Sequence, residues 1–506
     1  MRSVLFTFTA LSLVSGSLAT GISDEDLSLQ QNVIHFPDAT WHTPQSNVQA
    51  VCYQIAYAIS DASEVFFPST HGYAASNKHA LASSSGESAC SVQPGSPQDV
   101  GLILQILGKS RTPFGVKGAG HTGNPGFSST SGVQISLARF DTFKVNTEAQ
   151  TVELGPSLTW DDVFERLTPY GVNVIGGRIP GVGVGGLTLS GGYSFQTSQY
   201  GLSIDNVVAF ELVQPNGTIT TVTEANHDLW FALRGGGNNF GIVTKFTFKS
   251  FPQGQVWGGA ILYAPDQLDA VKAATAEFGK VTDPKAALIT TFVYTPGGVS
   301  TAALIFYNEP NPPKGMFDAI LDIPSPMKDV SIRSFADFIK AVGVADPPGE
   351  RGSFCGFPVT NYSSNFLDAI AEQISIWGKK LTDIDPTVFV AADAELLDST
   401  VFSHGAPSAY PPDRSLVYFP SILSFTWPNS SLDETIFQAQ REIANNLRAA
   451  ALKDGQDVER AAVYPNYALF DTPLEDMYGQ NVPRLRELKR AYDPENVMGL
   501  TGGFKF

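Results

Sequence analysis

Cysteine is scarce in this chain: 506 residues contain three, at positions 52, 90 and 355. Histidine is also sparse, with seven scattered residues. No His-x-x-x-His or Cys-x-x-Cys spacing occurs, so no metal is expected. Positive charge is short as well. Lys and Arg number 32 against 49 Asp and Glu, which leaves a formal charge of −17. A surface that acidic repels phosphate backbones and anionic lipid, so no nucleic-acid partner is expected. No apolar run reaches the length that spans a bilayer, and no membrane partner is expected. Charged residues make up only 16% against 43% hydrophobic ones, which excludes a disordered chain. There is no repeat, no low-complexity segment and no G-x-S-x-G element. Ser190, within Leu189-Ser190-Gly191-Gly192, lacks the strand-to-helix context of a hydrolase nucleophile.

What is present begins with an export signal. Arg2 opens it, Val4 to Val14 is its apolar run, and Ser17-Leu18-Ala19 offers small residues for cleavage near Ala19. A secreted chain is the expectation, and sequons at Asn216, Asn361 and Asn429 agree with it. In an oxidising compartment Cys52 and Cys90 can pair across a mid-length loop and leave Cys355 alone.

The length exceeds what one core fills, so two domains are expected. After the signal (1–19), residues 45–254 form one unit, 255–460 a second, and 461–506 a closing segment. Val51 to Ile59 has a helix pattern. Ser96-Pro97-Gln98-Asp99 reads as a capping box with proline at the first helical position, opening a run to Leu107. Val207 to Val213 and Thr218 to Val222 flank Pro215-Asn216-Gly217, a hairpin signal. Asn226 stands where it can cap a short helix ending at Arg234, and Asn481 where it can cap another that stops at Asp493-Pro494. Beyond residue 255, strand runs (Ala287 to Tyr294, Ala302 to Phe306, Leu416 to Phe425) take turns with helical stretches such as Asp433 to Leu452. That texture predicts an α+β domain with one covered sheet.

Two segments satisfy G-x-G-x-x-G: Gly118 to Gly123 and Gly181 to Gly186. A dinucleotide fingerprint must follow a strand and open a helix. Both segments are read as continuing into loop or strand, so a Rossmann site is rejected. Glycines without Cβ instead let consecutive N–H groups surround an anion, and two such loops can clasp a pyrophosphate from both sides. Eight glycines between Gly176 and Gly192 exceed what turn chemistry needs. His121 follows the first loop directly.

The stretches Phe114-Gly115-Val116-Lys117-Gly118-Ala119-Gly120-His121, Gly181-Val182-Gly183-Val184-Gly185-Gly186 and Tyr200-Gly201-Leu202-Ser203-Ile204-Asp205-Asn206 resemble the FAD domain of berberine bridge enzyme-like oxidoreductases, of the vanillyl-alcohol oxidase superfamily. Asp228 to Gly237, Phe240-Gly241-Ile242-Val243, Tyr464-Pro465-Asn466-Tyr467 and Tyr492-Asp493-Pro494 continue the likeness. The resemblance implies an α+β fold: a two-part, PCMH-type FAD-binding domain plus an α+β substrate domain whose large antiparallel sheet is covered by helices. It implies FAD bound covalently through His121, at the 8α carbon. Cofactor contacts fall on Lys117, Gly118, Ala119, Gly120, Thr122, Gly181, Val182, Gly183, Gly185, Gly186, Gly191, Asp205, Asn206, Gly241, Ile242, Val243 and Asn466. Ile179 stands where doubly linked members carry Cys, so a single linkage is expected. Ala119 and Ser190 replace common glycines. Val182 falls on the oxygen-admitting position, where a small branched residue resembles oxidases.

The expected activity is therefore that of a secreted oxidase, oxidising a small organic substrate with O2 and releasing H2O2, in secondary metabolism or on carbohydrate. A monomer is expected. The protein's part is to orient the substrate and supply a general base, for which Tyr193, Tyr464 and Tyr467 are candidates. The alternatives are a flavoprotein directing cyclisation without net oxidation and a non-catalytic secreted binding protein.

Overall fold

The computed structural model describes residues 45–343 and 350–506; the signal read at residues 1–19 lies outside them. Three large sheets organise the described residues, beside a two-stranded one formed by Val172–Asn173 and Phe251–Pro252. The first orders Glu64–Phe66, Cys90–Gln93, Val133–Ser136 and Phe114–Lys117, the last three being parallel. Helix Pro97–Ser110 provides its crossover, and Ser96 Oγ accepts from the Asp99 N–H at 3.1 Å, as the cap pattern predicts. The disulfide Cys52–Cys90 ties helix Gln45–Ala58 to this sheet, while Cys355 stays free and buried. Its bond closes a loop of 38 residues. Replacing both cysteines by serine is expected to lower stability by about 2–4 kcal/mol, read as a fall in the unfolding midpoint.

The second sheet is antiparallel: Phe143–Asn146, Thr151–Leu154, Ile242–Lys249, Val207–Val213 and Ile219–Val222. The last two form the predicted hairpin, with Gly217 at φ +87° in its turn.

The third sheet has seven antiparallel strands, in the order Met327–Arg333, Val256–Tyr263, Gly298–Tyr307, Ala286–Thr295, Phe389–Leu396, Phe419–Trp427 and Arg351–Val359. Helices Leu268–Phe278, Ser364–Ile384 and Asp433–Lys453 cover one face. In Ser364–Ile384, Phe366, Leu367, Ile370, Ala371 and Ile374 recur at helical spacing and are buried there, and Ser363 Oγ caps the first turn. Along Phe389–Leu396 the pleat divides the side chains. Val390, Ala392, Ala394 and Leu396 pack under the helices, so Ala391, Asp393 and Glu395 point the other way, toward the first two sheets. This is the α+β architecture expected, with its large antiparallel sheet covered on one side.

Three local expectations need correction. The second glycine loop opens a short helix, Val184–Leu189, rather than continuing as loop or strand. Tertiary hydrogen bonds hold its start: the Val184 N–H donates to Leu158 O and the Gly185 N–H to Pro156 O. Asn226 and Asn481 do occupy cap positions, but neither side chain caps. Asn226 Oδ1 accepts from the Thr223 N–H preceding the helix, and Asn481 Nδ2 donates to the carbonyls of Ser408 and Ala409.

Candidate active site

The strand Phe114–Lys117 delivers the first glycine loop, and the loop abuts the second. A Cβ on Gly183 would lie 2.7 Å from Ala119 Cβ, so only glycine allows the two backbones to meet. A Cβ on Gly118 would lie 2.7 Å from Pro156 O, and one on Gly185 3.0 Å from Pro156 Cβ. Gly181, at φ +82°, faces His121: the imidazole Nδ1 is the nearest atom to its missing Cβ, at 3.9 Å. On its other side the His121 ring lies parallel to Phe354, from the large sheet, with centroids 6.4 Å apart. His121 thus stands where the two loops and the seven-stranded sheet converge. Among the described residues, the amides of Ala119 and Gly120 have no acceptor. Closely packed glycine backbone with unspent N–H donors is what a pyrophosphate requires, so the residues fit FAD.

The other residues expected as contacts take different roles in the structure. Lys117 runs beneath Gly120, and its ammonium donates to the carbonyls of Ala75 and Lys78 at the end of helix His71–Asn77. Burial and the nearby Lys78 lower its pKa to about 8. Asn466 Nδ2 donates to Leu187 O and to the Tyr464 hydroxyl. Gly191, at φ +115°, packs on the rings of Tyr410 and Tyr464. Asn206 Nδ2 is spent on the carbonyls of Tyr200 and Leu202, and the side chains of Ile242 and Val243 lie in the core. Asp205 gives its carboxylate to two arginines, Arg234 at 2.8 Å and Arg414 at 2.6 Å.

Tyr193, far from the other two in sequence, comes together with Tyr464 and Tyr467. Their rings meet edge to face at 4.8 Å (Tyr193–Tyr464) and 4.9 Å (Tyr464–Tyr467). Tyr410 joins them, its hydroxyl 3.3 Å from that of Tyr193. Tyr467 donates to Glu395 Oε1 at 2.8 Å and accepts from Arg178 Nη2 at 2.5 Å, while Arg178 and Glu395 pair at 2.6 Å. Tyr464 accepts from the Gly192 N–H and from Asn466, and its own proton has no acceptor among the described residues.

Sequence reasoning passed over Arg178, Asp393, Glu395 and Tyr410. Asp393 shares the Glu395 face of its strand, half-buried, with Thr291 opposite it in the paired strand. Burial, with Glu395 adding to it, raises the Asp393 pKa to about 7. The signal available in the sequence was two carboxylates at alternate positions inside an apolar strand.

Residues 88–223 match the family profile described as an FAD binding domain, and residues 463–501 the one described as berberine and berberine like. The FAD-dependent monooxygenase FUP4 of Fusarium proliferatum is 34% identical over 429 residues, which span 81% of this chain and 83% of that one. An uncharacterized FAD-linked oxidoreductase of Arthroderma benhamiae is 30% identical over 436 residues, 82% of this chain and 87% of its own. The carbohydrate oxidase of Microdochium nivale shares the fold, with a TM-score of 0.74 at 19% identity over 89% of this chain and 98% of that one. Fold, glycine loops and matches together define an FAD-dependent oxidoreductase. Within that class, the chain belongs to the berberine bridge enzyme-like family of FAD-linked oxidoreductases.

Proposed function

We propose that this is a secreted oxidase which carries FAD on His121 by a single covalent bond and oxidises a hydroxyl- or amine-bearing small molecule. In this reading residues 45–254 hold the cofactor, 255–460 bind the substrate, and 461–506 return to complete the site. The observation that carries it is the position of His121, between two abutting glycine loops and against Phe354 of the substrate sheet. FAD held by the two glycine loops and His121 would supply the two-electron acceptor that the side chains lack, with oxygen as the terminal oxidant.

The residues of the chain do the rest. Asp393, half-buried on the strand face that points toward the first two sheets, is the general base that removes the substrate O–H or N–H proton, and its pKa, raised by burial to about 7, suits neutral operation. The phenols serve differently. Burial raises Tyr464 to about 12 and holds Tyr193 and Tyr467 well above the ordinary value, so all three keep their protons. Tyr464, with an unspent O–H, positions the substrate oxygen. The Arg178–Glu395 pair fixes Tyr467 and places a second carboxyl group on the same strand face as Asp393.

Secretion is supported by the Cys52–Cys90 disulfide and by Asn216, Asn361 and Asn429 all being exposed. No helix among the described residues is long and apolar enough to cross a membrane. The test is acid precipitation of the purified protein. Yellow colour is expected to stay with the wild-type pellet and to be released from His121→Ala, and turnover of a substrate is expected to yield peroxide. A colourless wild type would remove the flavoenzyme reading in favour of a binding protein; turnover without peroxide would favour the cyclisation alternative.

A further inference from the structure

The seven-stranded sheet turns one face away from its helices, and the side chains on that face set the chemistry of what can lie against it. Phe292, Leu423, Phe425, Cys355 and Phe357 pack under the helices. The pleat therefore turns Thr291, Val293, Ile422, Ser424 and Phe354 to the side of Asp393. Strand register joins them into one surface. Asp393 has Thr291 opposite it on one neighbouring strand and Ile422 on the other, and Ala391 likewise has Val293 and Ser424. Ser424 in turn stands opposite Phe354, whose ring lies parallel to that of His121. At the other end Ile422 stands opposite Gly356, where a Cβ would lie 2.9 Å from Tyr467 Cβ. The surface thus runs from the His121 side to the tyrosine cluster.

Hydrogen-bonding capacity along it is small. Val293, Ala391 and Ile422 are 6%, 2% and 6% exposed, and none of them joins the helix-side core. Glu395 and Arg178 are spent on each other and on Tyr467. What remains around Asp393 is the hydroxyls of Thr291 and Ser424 and the O–H of Tyr464, which has no acceptor among the described residues. A sugar carries a hydroxyl on nearly every ring carbon, and each one buried without a partner is costly. A flat apolar ring with a single hydroxyl or amine asks for one acceptor and one donor, which Asp393 and Tyr464 provide.

We propose that the substrate is an aromatic alcohol or amine rather than a carbohydrate, its ring lying on Val293, Ala391 and Ile422 between Phe354 and Tyr467. The proposal rests on the reading of this site as the active site of an oxidase and narrows it to a substrate class. Aliphatic floor, aromatic ends and a few convergent polar groups are the make-up of a site for a small apolar ring. Ile422, beside the carboxylate, is a specificity-determining residue.

The test is titration calorimetry of the yellow, full-length protein with two ligands it cannot turn over. Cinnamamide carries a planar ring and no hydroxyl, and methyl β-cellobioside is a sugar blocked at its anomeric carbon. Cinnamamide is expected to bind at least tenfold more tightly than the glycoside, with the negative heat-capacity change of buried apolar surface. Ile422→Asn is expected to weaken cinnamamide by about tenfold, and Ile422→Leu to keep its affinity. Val293→Thr, which preserves side-chain shape, covers the case in which the asparagine protein does not fold, with an expected loss of about fivefold. Three results overturn the substrate class and leave the flavin reading standing: a glycoside that binds as tightly as cinnamamide, no binding of cinnamamide, or unchanged cinnamamide affinity in Val293→Thr and in a folded Ile422→Asn. A wild type purified without flavin colour overturns the FAD reading itself.

Discussion

Asp393→Asn is expected to lower turnover by about 10²–10⁴-fold, the range by which a positioned general base contributes. The substitution keeps the shape of the side chain and its place opposite Thr291, so the fall reports lost proton acceptance rather than a collapsed site. The pH profile carries the sharper expectation. A base that titrates at about 7 is inactive when protonated, so the rate of the wild type rises with pH through that value and levels off above it. In the Asn variant the limb disappears, leaving a low and flat rate. The stability of the fold runs the opposite way. Because the folded pKa is raised above that of the unfolded chain, ionising Asp393 costs stability as pH climbs from about 4 toward 7. The Asn variant is therefore expected to melt higher than the wild type at pH 8. A wild-type profile with no limb near 7, or an Asn variant of near-normal rate, would transfer the base role back to a phenol.

Elements were legible in the sequence where local chemistry decided them. Ser96 capping helix Pro97–Ser110, the Asn216-Gly217 turn and the Cys52–Cys90 pair each depend on a few neighbouring residues or on compartment. The helix Val184–Leu189 was not, because Gly185 and Gly186 argue against helix and only contacts with Pro156 and Leu158 overrule them. The same holds for the site. His121 beside a glycine loop is a local pattern, which a short window on the sequence holds. Arg178 and Glu395 pair across 217 positions, and Tyr410 reaches Tyr193 across the same separation. No window on the sequence holds both members. Asp205 is the instructive case. Its motif resembles a flavin-lining segment, yet its carboxylate is directed at Arg234 and Arg414.

That arrangement makes Asp205→Asn the most damaging structural substitution we expect, at about 3–5 kcal/mol. The carboxylate is 1% exposed and serves guanidinium groups that are 3% and 14% exposed. Asparagine fits the same space but leaves two buried cations with no counter-charge. Arg234 already shows the imbalance: burial and then Arg414 hold its pKa below the ordinary value despite Asp205. The two arginines also bind the carbonyls of His404, Ala406 and Pro407, which fastens the segment 404–414 onto the cofactor half. Tyr410 rides on that segment, 5.7 Å from Tyr464 between ring centroids. Loosening the clasp is therefore expected to raise KM as well as to lower the melting temperature, by about 3–5 °C for a change of this size in a chain of 506 residues. Arg414→Ala is the control. It leaves Asp205 and Arg234 as a one-to-one buried pair and so is expected to cost less than Asp205→Asn, although it removes more contacts. Thermal unfolding of both variants at neutral pH decides the matter. If Arg414→Ala is the more damaging, contacts rather than charge balance hold the segment, and the electrostatic account of the clasp is wrong.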